Sequence, residues 1–262
     1  MLPVMSDDPG QMPQSTTHFG FREVSETDKA GLVRQVFDSV AGRYDLMNDL
    51  MSAGVHRLWK STLLDMIDPA PGQRLLDVAG GTGDIALGFL ERAGGVAGQV
   101  HVAICDVNPA MAAIGRDRAL DRGMTDGATF VVGDAERLPF ADSSVDVYTI
   151  GFGLRNVTRP AAALTEARRV LRPGGRFFCL EFSRVVLPVL DRIYDLYSFA
   201  VLPRLGELVA GDRAAYEYLV QSIRRFPAQE DLAGLMAAAN FDLVRWRNLS
   251  GGIAAIHSGW RI

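Results

Sequence analysis

Residues 75–84 read LLDVAGGTGD, an apolar run that ends in small residues and is followed directly by an aspartate. The apolar run is typical of a buried strand, and the spacing of apolar residues over 84–93 indicates that a helix follows. Within this stretch, residues 81–86 (GTGDIA) match GxGxxG/A, a weak signal alone that gains weight between a strand and a helix. We therefore expect a ligand-binding loop here, in preference to a tight turn that only needs glycine for positive φ.

Strands and helices alternate from residue 73 onward. Apolar segments predict seven strands, at 73–79, 100–107, 128–134, 145–153, 176–182, 241–249 and 251–262. Helical patterns lie between them, at 84–93, 108–123, 159–171 and 229–240. This alternation predicts an α/β fold with a central, mostly parallel seven-stranded sheet and helices on both faces. The last two strands, with Ser-Gly-Gly between them, predict a C-terminal antiparallel hairpin.

The segments around this alternating region suggest how the chain is organised. Residues 1–25 are polar and are predicted to form a disordered tail, and 26–262 are predicted to form a single domain. Within that domain, apolar residues at helical spacing predict an N-terminal helical lid at 26–70. An aromatic-rich helical insert on the substrate side is predicted at 184–228. No apolar segment has the length of a bilayer span, which favours a cytoplasmic protein with, at most, peripheral membrane contact.

Charge and composition exclude several classes of function. The 262-residue chain has a net charge of −4 and a pI near 5.6, whereas nucleic-acid binding requires a basic surface. Its two cysteines, Cys105 and Cys179, lie in apolar runs and are expected to be reduced core residues. The four histidines show no metal-ligand spacing, so no metal site is expected.

An acid at the end of the second predicted strand points to a nucleoside. Asp106 lies 23 residues after Gly83, where a carboxylate can hold both ribose hydroxyls. Two ligand classes fit this arrangement, a dinucleotide and S-adenosylmethionine. A dinucleotide would place its pyrophosphate close to Asp77 and Asp84, which would repel it. The same acids suit an ammonium and a sulfonium group, so the loop is expected to hold the methionine end of S-adenosylmethionine.

A third strand end supplies a further candidate contact. Asp134 and Ala135 follow the strand at 128–134, where the carboxylate can accept from the adenine amino group and the next backbone N–H can donate to the ring. Taken alone, the same residues are typical of an ordinary Asx turn. The segment LRPGG at 171–175 is a turn that many α/β proteins use before a strand.

In this order, these motifs resemble those of the class I S-adenosylmethionine-dependent methyltransferases, which have a Rossmann-like fold. Longer stretches are similar to the ubiquinone/menaquinone biosynthesis C-methyltransferase (UbiE) family, over residues 30–262. They are FDSVAGRYDLMNDLMSAGVHRLWK, DVAGGTGDIA, GDAERLPF, FGLRNV, RVLRPGGRF, LEFS and YSFAVLPRLGELVAGD. YDLMND and FGLRNV are not general cofactor motifs, which makes the resemblance specific.

The resemblance implies C-methylation of a polyprenylated benzoquinol, in ubiquinone biosynthesis, or of demethylmenaquinol, in menaquinone biosynthesis. It also implies that S-adenosylmethionine is the methyl donor. The implied cofactor contacts, with the surrounding glycine loop, are Asp77, Gly81, Thr82, Gly83, Asp106, Asp134, Ala135 and Gly151. Serine is common in the family at the last of these positions, so Gly151 retains only a backbone or close-approach role.

Carbon methylation requires an electron-rich ring carbon, which a quinol provides when one hydroxyl loses its proton. Arg155 and Asn156 follow the fourth strand of the alternating region, at the edge where ligands bind open α/β sheets. We interpret Arg155 as a stabiliser of the phenolate and Asn156 as a donor that orients a ring oxygen. Their alternatives are a surface arginine and a helix cap. Tyr44 is hypothesised to line the quinol pocket, although its helical spacing also fits a core position.

Two other classes of function stay open at this point. One is a dinucleotide-dependent oxidoreductase, for which neither an acid-free loop nor a nicotinamide-side catalytic residue is evident. The other is a non-catalytic S-adenosylmethionine-binding subunit of a quinone-biosynthesis complex. The aromatic insert at 188–225 is compatible with a wall for the prenyl tail, a membrane-facing surface, a homodimer face or ordinary core.

Overall fold

The computed structural model describes residues 15–40, 44–52, 54–94, 100–124, 126–186, 204 and 212–262. The strands in this part of the chain are β1 (Thr16–Phe19), β2 (Arg22–Ser25), β3 (Arg74–Val78), β4 (His101–Asp106), β5 (Ala128–Val132), β6 (Val145–Gly151), β7 (Leu171–Phe182), β8 (Asp242–Leu249) and β9 (Ala254–Arg261). The α-helices are α1 (Glu26–Val40), α2 (Tyr44–Ser52), α3 (His56–Ile67), α4 (Asp84–Arg92), α5 (Pro109–Asp121), α6 (Pro160–Val170), α7 (Arg213–Arg225) and α8 (Gln229–Ala238). A short 3-10 helix, Leu154–Asn156, follows β6.

The central sheet has seven strands in the order β5-β4-β3-β6-β7-β9-β8. The five strands from β5 to β7 are mutually parallel. β9 runs antiparallel to β7 and pairs with β8 in the C-terminal hairpin. The predicted mostly parallel seven-stranded sheet and its antiparallel hairpin are therefore confirmed.

Burial along the strands follows their place in the sheet. β3 is buried after its first residue and β6 is buried up to its last, since helices cover both faces of the centre. β8, at the edge, is mostly exposed. One apolar cluster packs α3, α4 and α7 against the sheet, and a second packs α6 and α8 against the opposite face. Cys105 and Cys179 are buried with free thiols.

The strand order reverses between β3 and β6, and this position fixes the binding site. The chain runs outward from β3 through β4 to β5, then returns to place β6 on the other side of β3. The connections on the two sides diverge above the carboxyl ends of β3 and β6 and leave a crevice there. Ligands of open α/β sheets bind in such crevices.

The predicted disordered tail is wrong for residues 16–25, which form a two-stranded antiparallel hairpin. Gly20 begins its two-residue turn with a φ of 58°. Phe19 is buried and stacks on Tyr218 of α7 with ring centroids 4.1 Å apart, and the Phe21 N–H donates to Gln221 Oε1 at 3.0 Å. A short polar hairpin gains its stability from this distant helix, which no local pattern reveals. Residues 1–14 of the predicted tail lie outside the described residues.

Two other predicted segments are described in part. The proposed lid at 26–70 contains α1, α2 and α3. Of the proposed insert at 184–228, the structure describes α7 and its flanks, while 187–203 and 205–211 lie outside the described residues. The LRPGG turn is accommodated as an irregularity within β7, with Gly174 at a φ of 80°, before regular pairing with β6 resumes at Arg176.

Candidate functional site

Backbone strain marks the crevice at the switch point. Ala79 follows β3 with a φ of 49°, and Phe152 follows β6 with a φ of 57°. Side chains other than glycine adopt this region at a cost, and such residues concentrate at functional sites. The two loops also approach closely, because a Cβ added at Gly153 would lie 2.4 Å from the Ala79 Cβ.

A cavity of about 870 Å³ opens on one side of these two loops. Of the predicted site residues, it brings together Gly81, Asp106, Asp134, Ala135 and Asn156. Residues of α1, the first helix of the predicted lid, form part of its wall. We call it the first cavity.

Asp106 is held in place by backbone donors. The Gly81 N–H donates to its Oδ2 and the Asn108 N–H to its Oδ1, each at 2.8 Å. Burial raises the pKa of the Asp106 carboxyl, and these two hydrogen bonds oppose the rise. A carboxylate accepts about four hydrogen bonds, so both oxygens retain capacity for a pair of hydroxyls. This geometry suits the ribose contact that the sequence predicts.

Asp134 and Ala135 also line the first cavity. The Asp134 Oδ1 accepts from the Glu136 N–H at 2.9 Å, so the Asx turn is present. The turn and a ligand contact are compatible, because the turn engages one carboxylate oxygen and Asp134 remains exposed. Ala135 is buried beside it.

A smaller cavity of about 310 Å³, which we call the second cavity, adjoins the first. Ala79 and Phe152 line both. Predicted residues Asp77, Thr82 and Gly151 lie in the wall of the second cavity, together with Lys60 and Asp84. The predicted residues are thus divided between two adjoining spaces that meet at the strained loops.

Asp77 is the most unusual acid of the site. Its side chain is buried, its Oδ1 accepts from the Thr149 hydroxyl at 2.6 Å, and its Oδ2 has no hydrogen-bond partner. Burial raises the pKa of Asp77 to about 7, although the Thr149 hydrogen bond and the charge of Lys60 partly oppose this. A buried carboxylate with an unsatisfied oxygen is poised to accept from a cationic donor.

Asp84 is neutralised by the protein itself. Its Oδ2 lies 2.7 Å from Lys60 Nζ and its Oδ1 lies 3.4 Å from Arg118 Nη1. Burial alone would raise the pKa of Asp84, but these cations outweigh burial and hold it below its ordinary value. The expected repulsion of a pyrophosphate by Asp84 is therefore weaker than the sequence suggests, because these two cations already pair with its charge.

The glycine loop nevertheless offers little to a phosphate. The Gly80 N–H donates to Cys105 O, the Gly81 N–H to Asp106, and the Gly83 N–H to Gly80 O. Dinucleotide loops instead direct free backbone N–H groups at the pyrophosphate. These three glycine N–H groups are therefore not free to donate to a pyrophosphate.

The remaining loop residues have mixed positions. Gly83 lines neither cavity and precedes α4 with a φ of 82°, so its role is conformational. Thr82 is buried, and its Oγ1 accepts from Arg118 at 3.0 Å. A Cβ added at Gly151 would lie 2.5 Å from Ile85 Cδ1, so in this chain the isoleucine fills the space beside the glycine.

Arg155 lines neither the first nor the second cavity. Its Nη1 is 2.6 Å from Glu181 Oε1 and donates to Phe152 O at 2.6 Å, and the guanidinium lies over the Phe182 ring at 5.5 Å. Both members of the ion pair are almost completely buried. Burial raises the pKa of Glu181, which Arg155 opposes. The guanidinium is thus held by protein partners, while its Nε has no hydrogen-bond partner. The direct contact of Arg155 with a phenolate stays a prediction.

Asn156 does reach the first cavity. Its Oδ1 accepts from the Tyr218 hydroxyl at 2.9 Å, which fixes the side-chain amide and leaves the nitrogen as a donor. The predicted helix-capping alternative does not apply, because Asn156 ends the short 3-10 helix after β6. Tyr44 begins α2, but its side chain lies outside the described residues.

Similarity to known proteins identifies the family of this chain. Residues 15–261 match the model of the ubiE/COQ5 methyltransferase family. The chain belongs to this family. A ubiquinone/menaquinone biosynthesis C-methyltransferase UbiE from Paracoccus denitrificans is 58% identical over 94% of this chain and 97% of its own length. The UbiE of Roseobacter denitrificans is 54% identical over 98% of this chain and 100% of its own.

Solved structures agree with the fold of a ubiE/COQ5 family member. A SAM-dependent methyltransferase from Thermotoga maritima has a TM-score of 0.60 at 21% identity, covering 88% of this chain and 100% of its own. One from Aquifex aeolicus has a TM-score of 0.56 at 14% identity, covering 78% and 89%. The predicted Rossmann-like class I methyltransferase fold is confirmed, and membership of a methyltransferase family argues against the oxidoreductase alternative.

Several residues of the site in this ubiE/COQ5 family member were not predicted. They are Lys60 and Phe152, the α1 residues Ala30, Val33, Arg34 and Phe37, and Asn108, Met111 and Glu136. Two features of the sequence point to residues of this set. Asn108 precedes a proline, which is typical of a helix start, and it caps α5 by accepting from the Ala110 N–H at 2.8 Å. Lys60 ends the FDSVAGRYDLMNDLMSAGVHRLWK stretch that carried the resemblance.

The described residues contain neither a metal-binding cluster nor a membrane-spanning helix. Among the residues that the structure describes, no three His, Cys, Asp or Glu side chains are grouped so as to hold a metal ion. The described helices include none with the length and apolar character to cross a bilayer.

Proposed function

We propose that this protein transfers a methyl group from S-adenosylmethionine to a ring carbon of a polyprenylated benzoquinol or of demethylmenaquinol. The observation that carries the proposal is the pair of adjoining cavities, one built around Asp106 and the other around the Asp77 carboxylate, whose Oδ2 has no hydrogen-bond partner. Their chemistry matches a nucleoside next to an ammonium-bearing amino acid. The acceptor class is inferred from the biosynthetic role in the names of the relatives.

The cofactor residues divide by cavity. In the first cavity, Asp106 accepts from the ribose hydroxyls, Asp134 accepts from the adenine amino group and the Ala135 N–H donates to the ring. In the second cavity, Asp77 accepts from the ammonium group. Of the remaining predicted residues, Gly81, Thr82 and Gly151 shape the walls between these groups through small side chains or backbone. Gly83 provides the positive φ from which α4 begins.

The bound cofactor supplies an electrophilic methyl group, and the chain must present a nucleophilic ring carbon to it. Asn156 is proposed to donate from its fixed amide to a quinol oxygen, which stabilises the phenolate as it forms. Phe152, at the junction of the cavities, excludes water from the reacting groups. Tyr44 is proposed to line the acceptor pocket, and Arg155 to support the Asn156 segment through its ion pair with Glu181.

The decisive experiment measures methyl transfer from labelled S-adenosylmethionine to two short-chain acceptors under reducing conditions, a methoxy-benzoquinol and a demethylnaphthoquinol. Ring-carbon methylation of either supports the proposal, and the ratio of rates assigns the preferred ring. Tight cofactor binding with no product from either would overturn it in favour of a non-catalytic S-adenosylmethionine-binding subunit.

The location and partners follow from the lipophilic acceptor. We propose a cytoplasmic protein with peripheral contact at the inner face of the membrane, because its substrate carries a prenyl chain that partitions into lipid. Co-sedimentation with lipid vesicles, with and without a prenylated quinol, tests this contact. A homodimer and a quinone-biosynthesis complex are further proposals, which light scattering of the purified chain and affinity purification with defined pathway enzymes test.

A further inference from the structure

Lys60 lies in the wall of the second cavity, although the proposed reaction assigns it no role so far. It lies on α3, and its side chain is 15% exposed. Its Nζ is 2.7 Å from Asp84 Oδ2. An ammonium group has three N–H donors, and Asp84 takes one of them. The contact therefore positions the Lys60 charge at the cavity and leaves donors for a ligand.

The charges of the second cavity are arranged as a pair of opposite sign. Asp77 presents an oxygen with no partner, and of the described residues that line the cavity Lys60 alone is cationic. Arg118 reaches Asp84 and Thr82 but is not part of the lining. A ligand with an ammonium and a carboxylate on one carbon satisfies both groups, whereas a simple amine satisfies only Asp77.

The glycine N–H groups of the loop do not replace Lys60 as donors to a carboxylate. Anions at glycine loops are usually held by free backbone N–H groups. Here the Gly80, Gly81 and Gly83 N–H groups are all committed within the protein. These three donors are therefore not free for a carboxylate, and Lys60 supplies a charged side-chain donor in the same cavity wall.

We propose that Lys60 binds the α-carboxylate of the amino-acid end of the cofactor while Asp77 accepts from its α-ammonium, an inference that rests on the proposed use of S-adenosylmethionine. Lys60 is then a specificity-determining residue. It allows the enzyme to distinguish S-adenosylmethionine from adenosyl ligands that lack the carboxylate.

The test compares ligands as well as variants. S-adenosylmethionine, its decarboxylated form and 5′-methylthioadenosine are titrated calorimetrically into the parent, Lys60→Met and Arg57→Met proteins. Arg57 is a matched control, because it is a cation of the same helix that pairs with Asp49 and lines neither cavity. Loss of a hydrogen bond between charged groups predicts that Lys60→Met weakens S-adenosylmethionine binding on the order of ten- to a hundredfold.

The same substitution is expected to leave the affinity for 5′-methylthioadenosine, which lacks both the ammonium and the carboxylate, within about twofold of the parent. It should weaken the decarboxylated form less than S-adenosylmethionine, since loss of the Lys60 charge also raises the pKa of Asp77. Arg57→Met is expected to change none of the three affinities. Equal weakening of all ligands by Lys60→Met would overturn the proposal and assign Lys60 a structural role. The parent alone provides a second test that needs no variant to fold: equal affinity for the carboxylated and decarboxylated ligands would also overturn it. Failure of the proposed use of S-adenosylmethionine is distinguishable, because the parent would then bind none of the adenosyl ligands.

Discussion

Cofactor binding is expected to tighten as the pH rises from about 5.5 to 7.0, because Asp77 must lose its proton before it accepts from an ammonium group. Burial raises the pKa of Asp77 to about 7 in the ligand-free protein. The groups that face it are Thr149 on β6, Lys60 on α3, and Asp84 at the start of α4. The Tyr148 hydroxyl also feels its charge, but burial keeps the pKa of Tyr148 far above this range.

The magnitude follows from the fraction of protein with Asp77 ionised. With a pKa of about 7, roughly 3% is ionised at pH 5.5 and about half at pH 7.0. Apparent affinity scales with the binding-competent fraction, so it should rise about sixteenfold, which is about 1.6 kcal/mol. The ligand's own α-amino group, with a pKa of about 7.7–8.0, stays protonated over this window.

Calorimetric titration with S-adenosylhomocysteine at constant ionic strength measures this dependence. The Asp77→Asn variant should bind more weakly at pH 7.0 and show little change with pH. Asp106→Asn is the matched control, since burial also raises the pKa of the Asp106 carboxyl but its proposed partners are uncharged hydroxyls.

Two results would refute the reasoning about Asp77. A parent affinity that is constant across the window would show that ionisation of Asp77 is not required for binding. An unchanged pH dependence in Asp77→Asn would assign the titration to another group, and its loss in Asp106→Asn alone would identify Asp106.

Three further predictions concern stability. Without ligand, the Asp77→Asn variant should melt at a higher temperature than the parent at pH 8. The pKa of Asp77 in the folded parent is raised to about 7, so the stability that the parent has below the unfolded-state pKa of this carboxyl is lost as the pH rises through about 7. A difference of equal size at pH 5 would contradict this. Glu181→Gln leaves the Arg155 charge buried without its counterion and should cost about 3–5 kcal/mol in urea unfolding, whereas a loss below 1 kcal/mol would mean that water reaches the pair. Gly153→Ala places a Cβ 2.4 Å from the Ala79 Cβ and should cost about 1–3 kcal/mol, with equal stability showing that the two loops move apart freely.

The parts of this molecule that sequence predicts are those set by local patterns. Apolar runs and helical spacing determine the strands β3 to β7 and the helices between them. The position of Asp106 follows equally directly, because the carboxyl ends of neighbouring parallel strands meet at one edge of the sheet. A glycine loop before a helix completes the cofactor side without any knowledge of distant contacts.

The parts that sequence does not predict depend on partners that are distant along the chain. The sequence places Arg155 directly after β6, near the expected substrate, but in the fold its guanidinium forms an ion pair with Glu181 near the end of β7. Lys60 contacts Asp84, which follows the glycine loop, from 24 residues earlier in the chain. The hairpin of β1 and β2 depends on the contact of Phe19 with Tyr218. In each case the deciding interaction is a tertiary contact.

The division of the site also separates binding from catalysis. Methyl transfer removes the positive charge of the sulfonium but leaves the ammonium and carboxylate of the cofactor unchanged. In the proposed arrangement, Asp77 and Lys60 therefore interact with these groups equally before and during the reaction, and such uniform binding lowers KM without raising kcat. The phenolate charge, in contrast, develops at the acceptor, where the Asn156 amide is fixed by Tyr218. Substitution of Asp77 or Lys60 should consequently raise the KM for the cofactor, whereas substitution of Asn156 should lower kcat at saturating cofactor.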